Sequence, residues 1–553
     1  MNLLKIIKVL GVSTPIFFCG GSLDRIQIEE NQYQLPVLVG KRDNPIIRIK
    51  ISDIKEGQKL TSIIINTAGT SNLRDIKTVR LYYYGKDSLP GNMEATKAKL
   101  FSSTSAIKKE MELEGDLPLI TGDNYFWLSY ELNEHVKLFD QVDAKAMTLK
   151  IDGKNIAFNQ SENDIKQRVG IALRKHGMDG INTSRIPGLA TTNKGTLIAI
   201  FDARYDSGRD LQGNIDIGIH RSDDGGNTWK PIQIAIDMGK WGGLPEKFNG
   251  VSDPCILVDK NTNAIYIAGL WMHGVINAEG KWLESLNNES TDWNHQWKTK
   301  GSQPGFGVKE TSQFMIVKST DDGKTWSEPL NITKMGKKEE WWLWAPAPGQ
   351  GITLKDGTLV FPTQGRDKND RAFSNIAYSK DGGNTWKSSN YSGKESGTEN
   401  MVVELSDGSI MLNGRTGANK DKTGEGNGRV VAVTRDLGET WTTHPTSRKA
   451  LIEPVCMASI VRHDYIFNGK KKSVLLFSNP DSKTTRHRMT IKYSLDDGMT
   501  WSGSSSLKLD EFSSRGYSCM TSIDSETIGI FYESSQADIA FQAIKLKDLL
   551  PDL

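Results

Sequence analysis

One eight-residue pattern recurs five times along the chain, as Ser222–Trp229, Ser319–Trp326, Ser379–Trp386, Thr434–Trp441 and Ser494–Trp501. Each copy reads Ser/Thr-x-Asp-x-Gly-x-Thr-Trp, and successive copies start 97, 60, 55 and 60 residues apart. The central Asp and Gly favour a tight turn, because Gly tolerates positive φ and the Asp carboxylate binds nearby backbone N–H groups. The closing Trp then packs back on the turn, so each copy reads as a staple on a β-hairpin. Short apolar runs lie between the copies: Thr196–Phe201, Ala264–Leu270, Thr358–Phe361, Ser473–Phe477 and Thr527–Phe531. Their length and their Gly, Asp and Asn flanks favour strands over helices. Four-stranded units repeated at this spacing predict a β-propeller. The wide first gap holds a polar, Trp-rich insertion at Trp282–Lys300.

The first 165 residues carry no copy of the pattern. Runs at Leu35–Val39, Ile46–Ile49, Leu60–Ile65, Thr78–Tyr84, Asn124–Leu132 and Lys145–Ile151 read as strands of a separate β-sandwich. Asn163–Lys175 shows helical spacing at Ile165, Val169, Ala172 and Leu173, which predicts a helix leading into the propeller. Met1–Cys19 begins with Lys5 and Lys8 and continues apolar through Phe18, the form of an export signal. Cys19, followed by two glycines, is a candidate lipid anchor, although Phe17 and Phe18 stand where small residues are usual. The domain reading is therefore a signal at 1–22, a sandwich at 23–160 and a propeller at 161–553.

Composition excludes several function classes. Sixty-nine Lys and Arg against 67 Asp and Glu leave a net +2, too little for a field that attracts nucleic acid nonspecifically. No apolar run reaches 18 residues, so no membrane span is expected. Four scattered cysteines (Cys19, Cys255, Cys456 and Cys519) make neither a disulfide scaffold nor a zinc site. Asp259–Asn263 lacks the Gly and Glu of a calcium loop, and no metalloprotease, Walker or dinucleotide motif is present. No cofactor or metal is expected.

Arg185 stands in Ser-Arg-Ile-Pro-Gly, ahead of the first staple. With five staples behind it, the chain resembles the bacterial sialidases that carry an extra N-terminal sandwich. That resemblance implies an all-β chain with a six-bladed β-propeller preceded by the smaller sandwich. It implies a monomeric, exported exo-sialidase acting on sialylated glycoconjugates. It also implies three arginines on the substrate carboxylate: Arg185, then Arg415 after the segment Glu399–Gly408, then Arg486 after Ser478–Pro480, with Arg488 as its rival. Guanidinium groups suit the task because they bind a carboxylate bidentately and stay charged. Tyr517 matches the nucleophile and Glu399 its base. A neutral phenol avoids the repulsion that a carboxylate nucleophile would meet beside the sugar's own carboxylate. Asp210 matches the acid/base, with Asp206 and Asp216 as competitors, and Arg204 and Asp253 match substrate contacts. Trp271 and Met272 are candidates for a pocket lining the N-acetyl group. Trp341–Trp344 reads as packing of an insertion or as pocket rim.

Overall fold

The computed structural model describes residues 26–550 except 89–97, 160–164, 212, 273, 274, 278–280, 293–300, 394, 396 and 504. The export signal, Cys19 and the end of the Trp282–Lys300 insertion lie outside the described residues.

Two antiparallel sheets form the N-terminal part. One orders Gln27–Gln32, Asn44–Ile54, Gly122–Leu132, Ile76–Gly85 and Lys99–Thr104, and the other Lys154–Ala157, Lys145–Ile151, Lys59–Asn66 and Glu110–Pro118. Alternation along the strands sends Ile47, Ile49, Ile63, Ile65, Leu128 and Leu149 into one shared core. All six strand readings for this region fall on observed strands, but Val37–Val39 joins the sheet of the sixth blade and not the sandwich, because it pairs in parallel with Gln167–Arg174.

Among the described residues six further sheets form the propeller blades, and a two-stranded sheet pairs Val275–Ile276 with Trp282–Leu283. The first blade runs Thr183–Thr191, Leu197–Arg204, Ile215–Ser222 and Gln233–Ile236, each strand antiparallel to the last. Every staple occupies the turn between the third and fourth strands of its blade, as Ser222–Trp229 does here. In that staple Ser222 Oγ accepts from Gly226 N at 2.8 Å, and Asp224 accepts from Thr228 N at 2.9 Å and Thr228 Oγ1 at 2.6 Å. The other four copies repeat these bonds. The Gly at the fifth position has φ between 76° and 92° in all five, the left-handed turn its type permits.

The sixth blade explains why there are five staples and not six. Its strands Ser518–Ser522, Thr527–Tyr532 and Ile539–Lys545 come from the chain's end, but its fourth strand is Gln167–Arg174. The third and fourth strands are thus not joined by a turn, and there is no turn to staple. This corrects the helix expected over Asn163–Lys175. The segment closes the ring against Phe541, and Val37–Val39 pairs with its other edge. Because it is buried along nearly its whole length, its apolar residues do not alternate and imitate helical spacing.

Candidate active site

In each blade the innermost strand starts at the end where the second strand finishes, so residues at those two positions from different blades converge. Arg185 and Asp253 sit early in the innermost strands of the first and second blades, and Glu399 and Tyr517 just before those of the fourth and sixth. Arg415 follows the second strand of the fourth blade, and Arg486 lies in the loop after the second strand of the fifth. All six line one cavity of about 370 Å³ together with Asp210. Register shifts at Arg185–Gly188 and Ser252–Cys255 bend the two innermost strands there. Ile186 and Asp253 take φ of 59° and 57°, left-handed backbone that is most costly for the β-branched Ile186 and is held here by the surrounding sheet.

Tyr517 is buried, and its hydroxyl donates to Glu399 Oε1 at 2.5 Å. Arg415 Nη1 donates both to Glu399 Oε2 at 2.5 Å and to Tyr517 Oη at 2.9 Å. Burial, then the charge of Glu399, pushes the Tyr517 phenol well above its ordinary pKa, against the pull of Arg415 and Arg486. The phenol is therefore neutral at rest. It can ionise only as its proton passes to Glu399, and Arg415 stands ready to stabilise the oxygen left behind. The guanidinium groups of Arg185 and Arg486 lie over the Tyr517 ring, 5.4 and 5.5 Å from its centroid.

Each clamp arginine is fixed from behind. Arg185 Nε donates to Glu533 Oε1 at 2.5 Å, and Glu533 also accepts from the backbone N–H groups of Ile186 and Tyr517. Burial acts to raise the Glu533 pKa, but Arg185 and these N–H groups outweigh it and hold the carboxyl below its usual range. Arg486 donates to the carbonyls of Arg515 and Val455 at 2.9 Å each. A guanidinium carries five N–H donors, so each arginine keeps some for a ligand. Three arginines facing one cavity suit a carboxylate.

Asp210 lies in the loop after the second strand of the first blade, with its side chain 31% exposed. Arg204 Nη2 donates to Asp210 Oδ1 at 2.6 Å and to the wholly buried Asp202 at 2.8 Å. Arg204 does not line the cavity. It was expected on substrate, but burial at the strand end makes it the support of Asp210. Of the rivals for the acid, Asp216 is buried and accepts from Tyr205, and Asp206 is exposed outside the cavity wall. Arg488 is also exposed and donates to the Asp481 carbonyl, leaving Arg486 in the wall. Asp253 accepts from Gln364 Nε2 at 3.1 Å, and burial beside Asp210 and Glu399 raises its carboxyl pKa strongly. Trp271 and Met272 are buried away from the cavity, with Trp271 donating to Asn249; packing in the second blade claims them. Trp341 and Trp344 are core, and only Leu343 of that run reaches the wall. Among the described residues no group of three or more His, Cys, Asp or Glu is placed to hold a metal ion.

Two supports escaped sequence reading. Glu533 ends an apolar strand and gives no local signal beyond being an acid there. Phe512, in the loop leading to Tyr517, packs against the stacked pair Tyr33 and Trp127 of the sandwich, with ring centroids at 5.0 and 6.4 Å. Glu511 N donates to Gln34 O at 2.8 Å in the same seam. The N-terminal sheets thereby brace the loop that carries Tyr517.

The chain matches two family models, the BNR repeat-like domain over residues 186–514 and the N-terminal domain of BNR-repeat neuraminidase over 25–155. It is 41% identical over 549 residues to a sialidase of Bacteroides fragilis, spanning 95% of this chain and 96% of the relative. A sialidase of Micromonospora viridifaciens is 32% identical over 373 residues, covering 65% of this chain and 51% of that protein. The solved Hadza microbial sialidase Hz136 superposes with a TM-score of 0.83 at 38% identity, covering 94% of this chain and 99% of its own.

Proposed function

Since this chain belongs to the sialidases that join a BNR-repeat propeller to an N-terminal neuraminidase domain, we propose that it cleaves with retention through a tyrosyl intermediate on Tyr517. The enzyme is an exo-α-sialidase, a glycosidase of sialylated glycans. Arg185, Arg415 and Arg486 grip the sugar carboxylate. Charge-assisted bonds of this kind contribute roughly 1.5–3 kcal/mol each. Asp210 protonates the glycosidic oxygen as the bond to the anomeric carbon breaks. Tyr517 Oη attacks that carbon and its proton passes to Glu399. In the second half, Asp210 takes a proton from water, the water oxygen bonds to the anomeric carbon, and the tyrosyl bond breaks with return of the proton from Glu399. Net inversion at each half gives retention.

The observation that supports this most is the Tyr517–Glu399–Arg415 triangle, with contacts of 2.5, 2.5 and 2.9 Å, inside the cavity that also holds Asp210. The test is proton NMR of a sialoside digest during the first minutes. Release of the α-anomer first, and its loss in Tyr517→Phe with a rate at least about 100-fold lower, are expected. First release of the β-anomer would contradict the proposal. Adding lactose to the same digest separates hydrolysis from transfer, and free sialic acid is expected as the main product. Export directed by residues 1–22, with Cys19 as a lipid anchor, is the companion proposal. Cell fractionation of wild type against Cys19→Ala tests it.

A further inference from the structure

Arg415 and Arg486 come from different blades, yet one buried ion pair stands behind both. Arg429 precedes the third strand of the fourth blade, Val430–Thr434, and Glu453 lies in the connection from that blade to the fifth. Both side chains are 0% exposed, and Arg429 Nη1 donates to Glu453 Oε2 at 2.7 Å. Neither residue lines the cavity that holds Tyr517.

Toward Arg415 the pair acts on the backbone. Glu453 Oε1 accepts from Thr416 N at 2.8 Å and from Asn419 Nδ2 at 2.6 Å. Arg429 donates from Nε to Asn413 Oδ1 at 2.7 Å and from Nη2 to the Asn413 carbonyl at 3.2 Å. The chain is thus gripped two residues before Arg415 and one residue after it.

Toward Arg486 the pair acts through the turn Glu453–Cys456. Arg429 Nη1 also donates to the Cys456 carbonyl at 2.6 Å. The preceding carbonyl, that of Val455, accepts from Arg486 Nη2 at 2.9 Å. Val455 has φ of 53°, left-handed backbone that is costly for a β-branched residue. Glu453 and Cys456, both tied to Arg429, bracket Val455 and hold it in that conformation. Asn427 adds a further tie, donating from Nδ2 to the Glu453 carbonyl at 3.0 Å and to the Lys483 carbonyl at 3.2 Å, three residues before Arg486.

A wholly buried ion pair adds little net stability, because the cost of desolvating two charges offsets their attraction. Its hydrogen bonds nonetheless fix directions. Here they converge on the segments that carry two guanidinium groups facing one cavity. We infer that Arg429 and Glu453 are positioning residues, which hold Arg415 and Arg486 at the spacing that one carboxylate requires. The inference rests on the reading of Arg185, Arg415 and Arg486 as a carboxylate clamp.

The test measures binding of 2-deoxy-2,3-dehydrosialic acid and of its primary amide, which differ only at the carboxylate. Calorimetry gives both dissociation constants without requiring turnover. Wild type, Glu453→Gln and the double variant Arg429→Met with Glu453→Gln are each measured well below their own Tm. The double variant removes both charges together and so leaves no unpaired charge buried. Gly170→Val, which crowds the Phe541 carbonyl at the ring seam, serves as a variant destabilised elsewhere. Wild type is expected to bind the acid about 100-fold or more tightly than the amide. Both pair variants should cut that ratio about tenfold, through weaker binding of the acid, while Gly170→Val keeps it. A ratio unchanged in the pair variants, or lowered as much by Gly170→Val, would overturn the inference. Equal binding of acid and amide by wild type would overturn the clamp itself, and the inference with it.

Discussion

A buried phenol does not ionise on its own, and the Tyr517 environment is built around that fact. Burial raises its pKa, and its hydroxyl donates to the Glu399 carboxylate at 2.5 Å, so at rest the phenol keeps its proton. The residues around it were legible through the family resemblance alone: Arg185 in Arg-Ile-Pro, Glu399 and Arg415 around a Leu-Ser-Asp-Gly hairpin, Tyr517 after Arg-Gly. Arg204 was legible as a site residue but not as the support of Asp210, since spacing does not say which way a strand-end side chain turns. Glu533 gave no signal, since its partner Arg185 is 348 residues away. Asp216 offers a test at this scale. Burial first, then Asp237, raises its pKa to about 7, above the unfolded value near 4. The folded state therefore binds this proton more tightly than the unfolded one. The stability it contributes is whole below pH 4 and is lost as pH rises through about 7. Thermal melts of Asp216→Asn against wild type should show the variant gaining relative Tm between pH 5 and pH 8. A Tm difference independent of pH would contradict this.

Elements in this chain are shaped by their turns. The staple pattern was legible because its hydrogen bonds are local and each residue type has one task. Asp381 accepts from Ser379 Oγ, Thr385 N and Thr385 Oγ1, and these bonds, led by the Thr385 hydroxyl, depress its pKa to about 2. The contribution is present above the unfolded pKa near 4 and is lost as pH falls toward 2. Asp381→Ala should lower Tm at pH 7 by a few degrees and by less at pH 3.5, with kcat/KM at 25 °C unchanged. Scanning calorimetry at the two pH values decides, and an equal deficit at both would count against the hydrogen-bond account. The closing strand Gln167–Arg174 was misread for the opposite reason. Its pattern is set by distant neighbours, since Val37–Val39 and Ile539–Lys545 cover both edges and the strand is buried nearly throughout.

The propeller is a ring whose seam joins Gln167–Arg174, which follows the sandwich, to Ile539–Lys545, with the sandwich set against the blade that closes it. A Cβ on Gly170 would lie 2.8 Å from the Phe541 carbonyl and 2.7 Å from Gln542 Cγ, so the seam has no room for a side chain. Gly170→Val should cost roughly 1–3 kcal/mol and lower Tm by several degrees. Gly503→Ala, which meets nothing within 4 Å, should melt like wild type. Equal melting of both variants would show that the seam does not carry ring stability. In the proposed mechanism arginines from separate blades deliver one acidic sugar to an activated phenol, and a covalent label tests this directly. 2,3-Difluorosialic acid should label the protein stoichiometrically, because fluoride leaves C2 as the nucleophile bonds there and the fluorine kept at C3 slows turnover of the covalent intermediate. Mass spectrometry of the digested, labelled protein should place the sugar on Tyr517. A label on Glu399 or Asp210, or none at all with the enzyme fully inhibited, would contradict the account.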